Sequence, residues 1–134
     1  MKIEVKQTND EELFNFLIEQ VYKKFKKNIN KYDELKKTYI KEINSNDKLY
    51  GAYLKNKIVG CAYLTYDNYI KDLFVKEGYE KYKVEDKLLE KIVMDNKKDI
   101  AASIAPDLVY KYSNYGFGIV DSYADSVIVE RRVK

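Results

Sequence analysis

The stretch with the clearest chemical potential runs from Tyr69 to Asn96, YIKDLFVKEGYEKYKVEDKLLEKIVMDN. An apolar run, Ile70-Lys71-Asp72-Leu73-Phe74-Val75, leads into a polar loop holding Gly78 and the lysines Lys76, Lys81 and Lys83. Beyond the loop, Val84, Leu88 and Ile92 fall on one helical face, with Leu89 and Val93 beside them. Strand, loop and helix in that order aim backbone N–H groups and the positive end of a helix dipole at an anion, commonly a phosphate. Lys81 and Lys83 can add ammonium partners to such a site. Glu85 and Asp86 lie in the first helical turn, where each carboxylate stabilises the dipole by roughly 0.3–1 kcal/mol and repels a phosphate.

Composition narrows what else the chain can do. It has 134 residues and no histidine, so the usual general base and the commonest metal ligand are both missing. Cys61 is the only cysteine; it can form no intramolecular disulfide, it leaves a structural zinc site without a ligand set, and among apolar neighbours it reads as a buried, inert thiol. The 25 basic and 22 acidic residues leave a net charge of +3, too balanced to indicate nucleic-acid binding. Fourteen tyrosines supply flat apolar surface with a hydrogen-bonding tip; most are expected as half-buried strand residues and some as the lining of a cleft. Met1 to Lys6 holds no apolar signal region and no run approaches membrane-spanning length, so the expectation is a soluble, cytoplasmic protein with no membrane partner, residues 1–134 forming one domain.

The elements that must position the Tyr69–Asn96 stretch follow from periodicity. Lys2 to Gln7 alternates as a first strand, and Thr8 and Glu11 fit a capping box before a helix with Leu13, Phe16, Leu17, Val21 and Phe25 on one stripe. Lys23, Lys24, Lys26 and Lys27 crowd the end of that helix, where the negative dipole pole favours them as a solvated cluster. After a break at Asn28 to Asn30, Tyr32, Leu35, Tyr39 and Ile43 mark a second helix. Leu49–Leu54 and Ile58–Tyr66 read as a hairpin through Lys55-Asn56-Lys57, with Asn56 suited to positive φ. The strand Ile70–Val75 and the helix Val84–Val93 come next, then a strand over Asp99–Ile104. Pro106 opens a helix with Leu108, Val109 and Tyr112 that stops at Asn114-Tyr115-Gly116, and Gly118–Ser122 and Ser126–Val133 close the chain as strands. The fold class is α/β (α+β), a mixed central sheet of about six to seven strands flanked by about four helices.

Over essentially its whole length this order resembles the GNAT superfamily of N-acetyltransferases. Leu73-x-Val75, then Glu77-Gly78-Tyr79, then a helix carrying Leu88-Leu89 looks like the family's acyl-CoA-binding core, and Lys57-Ile58-Val59-Gly60-Cys61-Ala62 resembles its third strand. Tyr112 followed four residues later by Gly116-Phe117 matches the family's second motif. The family's loop signature reads Gln or Arg, two residues, Gly, one residue, then Gly or Ala; the matching positions here are Glu80, Lys83 and Glu85, so all three residues differ.

The resemblance implies acetyl-CoA as co-substrate and a primary amine of a small molecule or protein as acceptor. It implies that Leu73, Phe74 and Val75 offer backbone groups to the acetyl carbonyl and pantetheine arm. Glu80, Lys81, Tyr82, Lys83, Val84 and Glu85 would then form the pyrophosphate loop, and Tyr112 would stand near the sulfur as general acid. An unperturbed phenol with a pKa near ~10 is a credible donor at neutral pH. Asp72 could take the amine proton directly or through water, although a surface or strand-edge carboxylate is the expectation for it. The tyrosines of the second helix are candidates for acceptor contact, with core packing the expected role. No metal is expected. The last two strands, if left at a free sheet edge, could pair between subunits as a homodimer. The alternative is a non-catalytic GNAT-like domain that binds a ligand or partner, and the Glu80–Glu85 loop is the feature that separates the two.

Overall fold

The computed structural model describes residues 2–25 and 31–133; Lys26, Lys27 and the break in the helical pattern expected at Asn28 to Asn30 lie outside the described residues. The strands are β1 (Glu4–Gln7), β2 (Lys48–Leu54), β3 (Lys57–Leu64), β4 (Tyr69–Val75), β5 (Ile100–Ile104), β6 (Gly118–Ser122) and β7 (Val127–Arg131). The helices are α1 (Glu11–Phe25), α2 (Tyr32–Glu42), α3 (Val84–Asp95) and α4 (Val109–Ser113), with single 3₁₀ turns at Glu80–Tyr82 and Pro106–Leu108. The strands make one mixed seven-stranded sheet in the order β1-β2-β3-β4-β5-β7-β6. Because β7 inserts between β5 and β6, only β6 of the last two strands is left at an edge.

Each face of the sheet buries its own apolar cluster. Leu13, Leu17, Ile18 and Val21 of α1 and Leu35 and Tyr39 of α2 pack on Leu49, Cys61 and Tyr63. On the other face Val84, Leu88, Leu89 and Ile92 of α3 lie fully buried against Tyr50, Ala52, Val59, Ala62 and Leu64. Burying a side chain of this size stabilises by about 1.5–3 kcal/mol, so the α3 stripe is a principal reason the helix docks. Phe25 and Ile43, expected on the apolar stripes, are 40% and 43% exposed instead.

Local chemistry explains the boundaries. The α1 cap is Asp10, not Thr8: Asp10 Oδ1 accepts the Glu12 N–H at 3.3 Å, while the Thr8 N–H is drawn onto the Leu49 carbonyl at 3.0 Å and prolongs the β1 ladder. The β2–β3 hairpin turns on Lys55 (φ 51°) and Asn56 (φ 67°), the two positive-φ positions of a type I′ turn. At the end of α3, Asn96 is buried and satisfied; its amide donates to the Ile92 carbonyl at 2.6 Å and to the Tyr50 hydroxyl at 3.2 Å, and its oxygen accepts from Lys48 at 2.8 Å.

Two features of β4 prepare the site. Its pairing with β3 slips between Tyr63↔Asp72 and Leu64↔Ile70, leaving Lys71 as an extra residue. Since side chains alternate with period two, the bulge reverses which face the following residues meet. Ile70 packs with the α3 cluster, whereas Phe74 packs with the α1–α2 cluster and Asp72 meets Tyr39 of α2. The second feature is the junction with β5, the parallel pairing of the sheet, which covers only Tyr69↔Ala101 and Ile70↔Ala102. Beyond it the two strands diverge, and the β5-facing edge of Lys71 to Val75 opens as a gap through the sheet.

Candidate active site

The gap holds a cavity of about 210 Å³. Asp72, Leu73 and Phe74 of β4, Ala102 to Ile104 of β5, Glu85 of α3, Leu108 and Tyr112 line it, and Lys24 and Phe25 at the end of α1 stand at its mouth. Because the gap passes between strands, residues from both faces of the sheet reach the same space.

Tyr112 is placed by the way α4 ends. The Phe117 N–H bonds the Tyr112 carbonyl at 3.3 Å, the Gly116 N–H bonds the Ser113 carbonyl at 3.1 Å, and Gly116 takes φ +91°. This is a Schellman cap, with glycine in the left-handed position and an apolar contact between its outer and inner residues. The contact here is the Tyr112–Phe117 edge-to-face pair, centroids 5.3 Å apart. The Tyr112, Gly116, Phe117 spacing is therefore what a helix stop requires, and it seats the ring of Tyr112, 3% exposed, on the wall of the cavity. Burial first, and then the charge of Glu85, push the phenol pKa up, so the hydroxyl keeps its proton at neutral pH.

Asp72 is neither a surface nor an edge carboxylate. It is half-buried on the central strand, turned by the bulge toward α2, where the Tyr39 hydroxyl donates to its Oδ2 at 2.9 Å. Burial raises its pKa above the usual carboxylate value; the Tyr39 hydrogen bond and the charges of Lys71 and Lys24 work the other way. Asp72 and Tyr112 thus line one cavity from opposite faces, a carboxylate and a neutral phenol. Cys61 is buried, and burial pushes its thiol pKa well above the usual range, so it is no nucleophile here.

The Glu80–Glu85 segment is less uniform than its sequence suggests. Lys83, at a position where the family signature has glycine, takes φ 57°, ψ 37°, the left-handed conformation glycine adopts without strain. Lys83 caps α3 with no side-chain bond. Ahead of it, the Gly78 N–H donates to the Glu80 carboxylate at 3.1 and 3.3 Å, so an internal anion already occupies that amide. The Tyr79, Tyr82 and Lys83 N–H groups go to the Lys76, Tyr79 and Glu80 carbonyls.

Two carboxylates of the first α3 turn are partnered from α4 and the turn that follows it. Lys111 Nζ lies 2.7 Å from Glu85 Oε1, and the Tyr115 hydroxyl donates to Asp86 at 3.1 Å. The hydrogen bond to Glu85 leads in raising the Lys111 pKa; burial and then the Asp86 bond push Tyr115 up to about 12.

Of the residues singled out by sequence, Leu73, Phe74, Glu85 and Tyr112 share the cleft. Val75 and Glu80 line a neighbouring cavity of about 530 Å³ with Gln20, Lys23, Lys24 and Lys76. The Val84 side chain is fully buried under the sheet. Lys81 lies over the Tyr82 ring, 5.4 Å from its centroid, and Tyr82 stacks obliquely on Tyr79. Sequence reasoning missed Lys24, Phe25 and Lys111, and weighed Tyr39 for acceptor contact and core packing where the structure gives it a hydrogen bond to Asp72. Lys24, assigned to a solvated helix end, lies 5.6 Å from the Phe74 ring centroid at the cleft mouth. Among the described residues no group of three His, Cys, Asp or Glu side chains could hold a metal ion, and no helix is long and apolar enough to cross a membrane.

Comparison with known proteins bears on this geometry. A family model described as an acetyltransferase (GNAT) domain matches residues 5–125. An acetyltransferase of the GNAT family from Staphylococcus aureus Mu50 is similar at 25% identity and a TM-score of 0.68, over 99% of this chain and 100% of the other. A GNAT family acetyltransferase from Elizabethkingia anophelis, solved with acetyl-CoA bound, shares the fold at 19% identity and a TM-score of 0.66, covering 98% of each chain. So does the PaiA N-acetyltransferase from Thermoplasma acidophilum in complex with coenzyme A, at 16% identity and a TM-score of 0.59, over 98% of this chain and 99% of the other. No curated protein matches the sequence.

Proposed function

This chain belongs to the GNAT acetyltransferase domain family, and from that premise we propose that it moves the acetyl group of acetyl-CoA to a primary amine of a small molecule or protein. The observation that carries the proposal is the diverging β4–β5 gap, whose single cavity is lined by Leu73 and Phe74, by the Tyr112 phenol and by the Asp72 carboxylate. The thioester arm lies along the unpaired edge of β4, where backbone groups released from the ladder meet its carbonyl and amides. The amine lone pair attacks the thioester carbon; the C–N bond forms, the C–S bond breaks, Tyr112 gives its proton to the departing thiolate, and Asp72 receives the proton lost by the amine. With the phenol pKa raised, Tyr112 enters the step protonated.

The residues fit the thioester half of the co-substrate better than its phosphates. The Gly78 amide is engaged by Glu80, and Glu85 stands in the first turn of α3. Lysine side chains therefore carry more of the pyrophosphate than a glycine loop would require, with Lys83 at the α3 cap and Lys111 beside Glu85. Removing the Glu85 carboxylate deletes a like charge at the helix N-terminus and releases the Lys111 ammonium, so acetyl-CoA should bind more tightly to Glu85→Ala, by about fivefold or more. Lys83→Ala should weaken binding. Isothermal titration of acetyl-CoA into wild type and both variants tests the two signs together. No heat of binding in any of them at millimolar ligand would discard the acetyltransferase and leave a non-catalytic binding module.

A further inference from the structure

The carboxylate assigned to the amine proton is held by a residue outside both family motifs. Tyr39 belongs to α2, and its hydroxyl crosses to β4 to donate to Asp72 Oδ2 at 2.9 Å over a separation of 33 residues. The Lys71 bulge makes the contact, since it turns Asp72 toward α2. The groups facing Asp72 come from every element around it: Lys71 on β4, Lys24 on α1, Tyr39 on α2, and Tyr63 and Cys61 on β3. The Tyr63 hydroxyl is committed to Asp47. Lys71 Nζ lies over the Tyr39 and Tyr63 rings, 4.3 and 5.6 Å from their centroids, and 3.6 Å from Glu42 Oε2. Among the described side chains, Tyr39 makes the one direct hydrogen bond that Asp72 receives.

We propose that Tyr39 is a positioning residue for acetyl transfer: its hydroxyl reaches from α2 to fix one oxygen of the Asp72 carboxylate and leaves the other to receive the amine proton. The proposal rests on the acetyltransferase reading above. A carboxylate on an exposed strand would find its orientation by trading hydrogen bonds with water; in a half-buried site that freedom is gone, and one directed donor sets the geometry and favours the ionised, proton-accepting form. Because the donor sits on α2, the helix that covers this face of β4 also controls the readiness of the base.

Tyr39→Phe keeps the ring, its contact with Tyr63 at 6.3 Å between centroids and its contact with Lys71, and removes only the hydroxyl. The acid limb of kcat/KM should move to higher pH by about one unit, because a hydrogen bond to the charged form has been lost. Above the limb, activity should fall less than about tenfold. A second readout needs no activity: the ¹³C carboxyl titration of Asp72 in the ligand-free protein should move up in the variant. Asp72→Asn should lose about 10²-fold or more in kcat and lose the limb itself. A uniform loss at every pH in Tyr39→Phe, with the carboxyl titration unmoved, would reduce Tyr39 to packing and overturn the proposal. Full activity in Asp72→Asn would overturn it at the base. If the titration shifts while the wild-type chain transfers acetyl to no amine, the fault lies in the acetyltransferase reading, and the proposal falls with it.

Discussion

Gly60 tests whether the α3 N-terminus is set by contact with the sheet. Gly60 lies on β3 opposite Val75, under the first residue of α3. A Cβ built there would sit 2.5 Å from Val84 Cγ1, 3.1 Å from the Phe74 carbonyl oxygen and 3.4 Å from Leu88 Cδ1. Ordinary carbon contacts are about 3.5–4.0 Å, so the Val84 approach must open by about 1–1.5 Å. Val84 has little room to yield: it is fully buried, and a β-branched side chain in a helix has one strongly favoured rotamer. Either that rotamer is forced, or the first turn of α3 lifts from β3. Overpacking of this kind costs about 1–3 kcal/mol, and we expect Gly60→Ala to lose that much in urea equilibrium unfolding, with an unchanged m-value. Val84→Ala alone should cost roughly 1.5–3 kcal/mol through lost burial. In the double variant the new methyl occupies space vacated by the valine, so its cost should fall short of the sum by about 1 kcal/mol or more. Acetyl-CoA affinity should drop in Gly60→Ala, as the helix terminus moves, and recover in the double variant. A Gly60→Ala protein within about 0.5 kcal/mol of wild type, or a strictly additive cycle, would refute the reasoning.

Two further outcomes bear on the site. Tyr112→Phe should lower kcat about 10²-fold while leaving the acetyl-CoA dissociation constant within about threefold, measured by steady-state kinetics and calorimetry; unchanged turnover would leave Tyr112 a packing residue. Asp72→Asn should raise stability at neutral pH while it lowers activity. The sign follows from the raised pKa of Asp72: its ionised form is disfavoured in the fold, so its contribution is most favourable below the unfolded value of 3.8 and is lost as pH rises through the folded value. The advantage of the asparagine variant in thermal unfolding should therefore appear at neutral pH and vanish below pH 3.8.

Local signals carried far in this chain. The alternation of elements, the α3 stripe and the Lys55-Asn56 turn are short-range patterns, and each appears where its period or dihedral preference put it. The Tyr112, Gly116, Phe117 spacing was legible as a family motif, though its physical meaning as a Schellman cap needed hydrogen bonds. What stayed hidden is long-range or unmarked. The Lys71 bulge carries no glycine or proline, so nothing in the strand announces that Asp72 faces α2. Lys111 meets Glu85 across 26 residues, and Tyr39 meets Asp72 across 33, distances over which no periodicity speaks. The choice of Asp10 over Thr8 as cap was a contest between two adequate acceptors, decided by the β1 ladder claiming the Thr8 amide.

The short parallel junction has a mechanical consequence. With only two registered pairs joining β4 to β5, the sheet is nearly two ladders, β1 to β4 and β5 to β7, laid edge to edge. The backbone adds little across the seam, and cohesion there falls to side chains: the shared core, and the Glu85–Lys111 and Asp86–Tyr115 stitches from α3 to α4 and the turn after it. Such a joint is where partial opening costs least, ahead of the longer antiparallel ladders on either side. A molecule filling the gap touches both ladders and acts as a keystone, adding its binding free energy to the weakest seam of the protein. The opening that admits it and the stiffening that follows are then one property of the same two-residue junction.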